Sequence, residues 1–371
     1  MSFTPADRRP GPALIALALL VASITCAEEP LTAQFGFEQD ALAPDWSTTA
    51  CDATLAITRA PENVRSGSGA LELAWEATDG RLAILTVSPV TIDSRPRSLR
   101  LSVKLAEQSP VMYGVREADG SSYQGYLYTP GGAWHDLAID LDELMLSEGS
   151  EDENGRLDVR EISGITVADL SNLAGEAGKS LGVKHGRQQM WLDDVALSDE
   201  LAPHRSSRGP GDEAIIDDFD RDPIRCLPIG GPALTLVAGP DEDDTSALRV
   251  RYDRDHYRWV GFVAAVGYLD LNERVNVCLR LRSEQRAPLQ VVLEERDGSK
   301  YVARHRLDPA RGWYVLRLPF ERFKPDRHTS DENEQLDLDQ LRVIIPVVDS
   351  KRAEIEEGGA GAWELSRVWA E

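Results

Sequence analysis

Gln124, Tyr126 and Tyr128 stand two residues apart, and Arg116 lies on the preceding arm of the same strand-turn-strand pattern. Side chains two apart on a strand share a face, so this spacing gathers two aromatic rings, an amide and a guanidinium on one surface. Aromatic faces cover the C–H surface of a pyranose ring and polar side chains fix its hydroxyls, so the group could hold a sugar noncovalently. An ordinary sheet face carrying two tyrosines is the alternative. Tyr257, Arg258 and Trp259 form a second, loop-borne candidate, with local packing as its alternative. Bond-making chemistry has thinner support. His135, His185, His204, His256, His305 and His328 are scattered without a metal-ligand spacing such as HExxH, no serine sits in a GxSxG turn, and no phosphate loop is present. The 63 acidic residues supply many carboxylate pairs, but a glycosidase pair is defined by its separation in space.

The elements that must position these side chains are strands. VREADGSSYQGYLY, centred on Asp119 and Gly120, occurs again as LEERDGSKYVARHR, centred on Asp297 and Gly298, 178 residues later. Each copy reads as a hairpin around a two-residue Asp-Gly turn with both central φ angles positive. Trp134 and Trp313 keep nearly the same offset, as do Asp152, Glu153, Asn154 and Asp331, Glu332, Asn333. Three landmarks in one order at one offset mean a duplication on the scale of a domain. In the second copy Leu289, Val291 and Leu293 are expected in the core, leaving Gln290, Val292 and Glu294 outward. By the same parity Tyr113 and Tyr123 point in, while Met112, Gly114, Arg116, Gln124, Tyr126 and Tyr128 point out. The second copy has Arg304 and Arg306 in place of the outward tyrosines, which predicts a charged face paired with Glu294. Trp134, Trp191, Trp313 and Trp363 recur at matching places and read as packing residues.

Runs of five to eight residues with period two, separated by turn residues, predict an all-β chain of two tandem antiparallel β-sandwiches. The only helix-like pieces are short, such as Leu141 to Leu146. Residues 28–199 and 214–371 are the expected domains, joined by a Pro, Gly and Ser-rich linker over 200–213. Arg8 and Arg9 precede an apolar run from Ala13 to Ala22, with small or polar residues through Ala27, the layout of a signal peptide over 1–27. The mature protein is therefore expected to be exported: periplasmic, in the cell envelope or extracellular. Lipid anchoring at Cys26 is the alternative, opposed by Thr25. No later run approaches the roughly 20 apolar residues of a membrane span. A net charge of −23 argues against nucleic acid or an anionic membrane as partner. Cys226 and Cys278 could pair in an oxidising compartment, although Cys278 has the polar-side parity of its strand.

The F-x-acidic opening segment, the Trp-led strands in WHDLAIDLDEL and WYVLRLPFERF, and the terminal WLDDVAL resemble the jelly-roll carbohydrate-binding modules of the galactose-binding-like fold. More distantly they resemble the complex I intermediate-associated domain. The resemblance covers both repeats and implies noncatalytic attachment to polysaccharide through a sheet face or end loops. It also implies a structural calcium ion, held by an early carboxylate and one in the closing strand, with Glu38 and Asp193 at the matching positions. Asp193, sharing a face with Trp191 and Val195, is expected to point inward. Asp220 replaces Glu38 in the second copy, but Leu365 falls near the Asp193 position, so no ion is expected there. The acidic loops SEGSEDENG and HTSDENEQ lack a full calcium-loop spacing and read as solvated. The combined expectation is an exported, noncatalytic protein binding glycan through the first domain at Arg116, Gln124, Tyr126 and Tyr128. An envelope protein partner, or a hydrolase with its pocket between the domains, are the rival readings.

Overall fold

The computed structural model describes residues 31–371 apart from 40–44, 50–52, 79–81, 93–94, 148, 174–180, 182–183, 203–212, 221–222, 241–245, 256, 268, 270, 328, 330 and 332. The expected signal peptide, Cys26 and most of the linker lie outside the described residues. In the first half the strands are β1 Leu31–Phe35, β2 Trp46–Thr48, β3 Thr54–Thr58, β4 Ala70–Ala77, β5 Ala83–Val87, β6 Ser98–Leu105, β7 Ser109–Glu117, β8 Ser122–Thr129, β9 Trp134–Asp140, β10 Met145–Leu146, β11 Ile162–Asp169 and β12 Gly186–Ser198. The second half continues with β13 Ala214–Asp217, β14 Leu227–Ile229, β15 Ala233–Ala238, β16 Ser246–Asp253, β17 Trp259–Ala265, β18 Asn276–Ser283, β19 Ala287–Glu295, β20 Lys300–Leu307, β21 Tyr314–Pro319, β22 Lys324–Pro325, β23 Leu341–Asp349 and β24 Ala360–Ala370.

Two antiparallel sheets form in each half. The first half has the order β3-β4-β12-β6-β9 with β1 on β12, facing β10-β8-β7-β11-β5-β2. Adding twelve to every strand number gives the second half: β15-β16-β24-β18-β21 with β13 on β24, facing β22-β20-β19-β23-β17-β14. The chain is thus all-β, a jelly-roll sandwich written twice. Alternation explains why these segments are strands: one parity supplies an inner face of Leu, Val, Ile and aromatic rings. Val111, Tyr113, Val115, Tyr123 and Leu127 enter the first core, and Leu289, Val291, Leu293, Tyr301 and Ala303 the second. Leu141–Glu143 is one turn of 3-10 helix leading into β10. Among the described residues no helix is long and apolar enough to cross a membrane. Cys226 and Cys278 are both free and buried, Cys226 in the inner core and Cys278 outside it.

Two local features depart from the sequence reading. The hairpin turns are longer than two residues: Glu117 N–H bonds to Ser121 O at 2.9 Å, Gly120 N–H to Glu117 O at 3.2 Å, and only Gly120 has positive φ. Asp119 keeps a negative φ because its carboxylate accepts from Ser121 N–H at 2.8 Å, a local turn that a type I′ geometry would break. The second hairpin repeats this through Asp297 and Ser299. In β12 a bulge falls between Asp193 and Ala196, with Asp194 at φ +50°. Met190 and Leu192 lie in the core before the bulge, and Val195 and Leu197 after it. An extra residue switches parity. Asp193 therefore lies on the outer face with Trp191, not inward with Val195. Strand register also pairs Leu248 with Leu365 and Leu71 with Leu192, which makes Ser366 rather than Leu365 the equivalent of Asp193.

Candidate functional site

The outward face of the β10–β2 sheet meets the outward face of the β22–β14 sheet, so the two sandwiches enclose a cleft. Tyr128 N–H donates to Ile224 O at 2.8 Å, carrying the first sheet across to the second half. Beside it Arg225 Nη1 donates to Glu143 Oε2 at 2.7 Å, and Nη2 donates to Ala138 O. That ion pair is only 14% and 13% exposed, so its Coulomb attraction is weakly screened.

The cleft has a volume of about 330 Å³. Gln124 and Tyr126 line it from β8, Met145 from β10, Ile229 and Val263 from β14 and β17, and Glu294, Lys300 and Arg342 from β19, β20 and the start of β23. Gln124 Nε2 donates to Tyr126 Oη at 2.7 Å, and Ser147 Oγ donates to Gln124 Oε1 at 2.9 Å, so the amide is fixed from both ends. Between them Gly125 leaves room for the Tyr113 ring, which a Cβ there would strike. Opposite, Glu294 takes Lys300 Nζ at 3.1 Å and Arg342 Nη2. Apolar walls with a few fixed polar groups converging from two sides are the usual makeup of a small-ligand site.

The four residues expected to bind glycan separate. Gln124 and Tyr126 are half-buried at the cleft. Arg116 faces outward as parity required but is exposed and does not line it. Tyr128 is a correction: it is 3% exposed and packs in the core cluster of the second sandwich, where burial pushes its hydroxyl up to about 12. Its outward direction was legible; the body that covers it was not. Glu294 pairs with Lys300 and Arg342 rather than with Arg304 or Arg306, because the register sets Lys300 opposite Glu294 and Arg304 opposite Gln290. Lys300 and Arg342 escaped the sequence reading. Outward parity was their only signal.

Glu38 and Asp193 meet one loop without assembling a cation cage. Asp193 is buried; Oδ2 accepts Arg65 and Ser66 N–H, both at 3.0 Å, and Oδ1 accepts its neighbour Asp194 N–H at 2.9 Å. Burial raises its pKa despite these bonds. Glu38 Oε2 accepts Ser68 N–H at 2.8 Å together with Ser68 Oγ, which lowers its pKa. Arg59 Nη2 donates to the carbonyls of Glu38 and Gln39 at 2.9 and 2.7 Å. Calcium needs six to eight oxygens free of donors. Here N–H groups hold both carboxylates and a guanidinium sits on the adjoining carbonyls, so these residues as placed do not fit the ion. On the same outer face Asp136 accepts Arg65 and Ser102, and the Arg65 bonds lower its pKa.

At the hairpins an internal network recurs. Glu117 accepts Ser121 Oγ and Asp158 N–H, while Tyr123 Oη donates to Asp152. In the second copy Glu295 accepts Asp337 N–H and Tyr301 Oη donates to Asp331. Glu117, Asp119 and Asp152 also bring carboxylate oxygens within 4.8 Å of one another. Burial raises the pKa of Glu117 and pushes Glu295 up to about 7. The expected solvated loops are thus tied to buried acids beneath the turns.

Fold and cleft together define a protein of two tandem jelly-roll sandwiches closed face to face. No family model matches the chain, and no curated protein matches it. Among solved structures the chain is similar to a family 11 carbohydrate-binding module of a cellulosomal cellulase of Clostridium thermocellum, at 14% identity and a TM-score of 0.34 over 47% of this chain and 99% of that one. It is similar along both halves to a tandem of family 22 carbohydrate-binding modules of Paenibacillus barcinonensis, at 12% identity and a TM-score of 0.29 over 93% of this chain and 99% of that one. An exo-beta-agarase is similar over 47% of this chain and 25% of its own, at 14% identity and a TM-score of 0.35.

Proposed function

We propose that this chain is an exported, noncatalytic carbohydrate-binding protein, with domains over 28–199 and 214–371, and that a short glycan segment occupies the cleft between them. The cleft carries the reading: Gln124 and Tyr126, the amide fixed by Ser147, face Glu294, Lys300 and Arg342 across about 330 Å³ lined otherwise by apolar side chains. The half-buried Tyr126 ring offers a face for the C–H surface of one sugar, and the amide and charged groups offer partners for its hydroxyls. Glycosidic cleavage needs two carboxyl groups, one acid and one nucleophile or base. Among the described residues Glu294 is the one carboxylate lining the cleft, and two cations hold it.

Binding to a glycan array, followed by titration calorimetry on the best ligand, tests this. Tyr126→Ala and Gln124→Ala are each expected to weaken binding about tenfold, the order of one lost ring contact or one orphaned polar partner, with melting temperature retained. Undiminished binding in both variants removes the cleft. Export is checked separately by N-terminal sequencing of the protein recovered outside the cytoplasm, which should begin at Glu28.

A further inference from the structure

The outward face of the β22–β14 sheet is divided. Its Glu294 and Ile345 end closes the cleft, whereas the Gln290 and Asp349 end opens into a groove of about 780 Å³ on the far side. Arg258, Arg304, Lys324, Arg327 and Arg352 line that groove against Asp326 and Asp349. Five cations against two acids is a local reversal in a chain of net charge −23. Charges beyond about 10 Å are screened at ordinary ionic strength, so the groove's own field governs what enters it. Arg304 and Lys324 are exposed, and neither forms an ion pair among the described residues.

Two further observations narrow the ligand. Asp349 is 1% exposed; its Oδ2 accepts Arg258 Nε at 3.1 Å, but its Oδ1 is buried without a partner. Asp349 Oδ2 also takes Arg258 Nη2 at 3.0 Å, so the buried carboxylate anchors this guanidinium at the groove wall. Trp259 is half-buried on the groove wall, its ring held by Arg258 at 5.1 Å from the centroid. A ring with an apolar face and fixed negative charge occur together in acidic polysaccharides. We propose that this groove binds an anionic polysaccharide, with its acidic groups on Arg304 and Lys324 and a ring against Trp259. Single-stranded nucleic acid is disfavoured, since it needs a series of stacking rings and the groove supplies one indole.

The site is independent of the cleft, and the experiment separates them. Affinity electrophoresis of the full chain is run in gels containing polygalacturonate, carrageenan, neutral xylan or single-stranded DNA. Polygalacturonate tests carboxylate and carrageenan sulfate. The protein is expected to be retarded by one or both acidic glycans and not by xylan at this site, with retardation weakening as salt rises. The exposed double variant Arg304→Gln/Lys324→Gln should lose at least about tenfold in affinity, consistent with two charge-assisted contacts removed, and Trp259→Ala should lose a smaller factor; Tyr126→Ala should retain binding. Circular dichroism melting confirms that the variants fold. Absence of retardation by both acidic glycans, equal retardation of the double variant, equal loss in Tyr126→Ala, or equal retardation by DNA would each overturn the assignment.

Discussion

The hairpin sheets of the two sandwiches carry the same interior and opposite exteriors. Inside, Glu117, Ser121, Tyr123, Asp152 and Asp158 have their counterparts in Glu295, Ser299, Tyr301, Asp331 and Asp337, and the Tyr to Asp and backbone to Glu bonds are repeated. Outside, Gln124, Tyr126 and Tyr128 are answered by Val302, Arg304 and Arg306. What both copies share is what the jelly roll needs beneath its turns. What they do not share distinguishes a polar-aromatic cleft wall from a cationic groove. The two exteriors also differ in cover: Tyr128 lies buried against the second sandwich, whereas Arg304 and Arg306 are exposed.

The widest gap between the copies should appear at Tyr128 and Arg306, which occupy equivalent places on β8 and β20. Tyr128→Ala removes a buried ring from the second core and is expected to cost about 3–5 kcal/mol in urea unfolding. Arg306→Ala removes an ion pair to Glu354 exposed at 61% and 54%, and should change stability by less than about 0.5 kcal/mol. Similar losses at both positions would dissolve the contrast. A middle-sized effect concerns the shared interior. Glu295 is pushed up to about 7 by burial, so the folded state keeps a proton that the unfolded chain loses near 4.5. Its contribution to stability is present in full below about 4.5 and lost as pH rises through about 7. His305, lowered by burial, acts in the opposite direction over part of this range. The comparison is therefore wild type against Glu295→Gln: the melting-temperature gap should widen in favour of the variant between pH 5 and pH 8, and a constant gap would refute the buried acid. Smallest of all is the expected response to chelation. Because N–H groups hold Glu38 and Asp193, EDTA should move the melting temperature by no more than about 1 °C, whereas a calcium-dependent rise of several degrees would restore the ion to the first sandwich and set the copies further apart.

The duplication, the strand order and the inward parity of Tyr113, Tyr123, Leu289 and Leu293 were legible because period two is written directly in the residues. Four things were not. A single bulge at Asp194 turned Asp193 to the other face, and a bulge changes no residue type that parity could register. The hairpin turns lengthened because Asp119 and Asp297 bind their own backbone, a competition between two uses of the same Asp-Gly pair. Tyr128 was correctly outward, yet an outward residue can meet solvent or another sheet, and nothing local to β8 distinguishes them. The cleft partners Lys300 and Arg342 were hidden for the same reason: they belong to a surface made by two distant stretches.

Tyr128 seats against a part of the second sandwich, near Ile224, that differs from the place it occupies in its own. The seat holds a ring of one sandwich within the hydrophobic core of the other, so packing and not the linker alone joins the two. Arg306, at the equivalent place on β20, is exposed and bonded to Glu354, so the second sandwich carries no such ring.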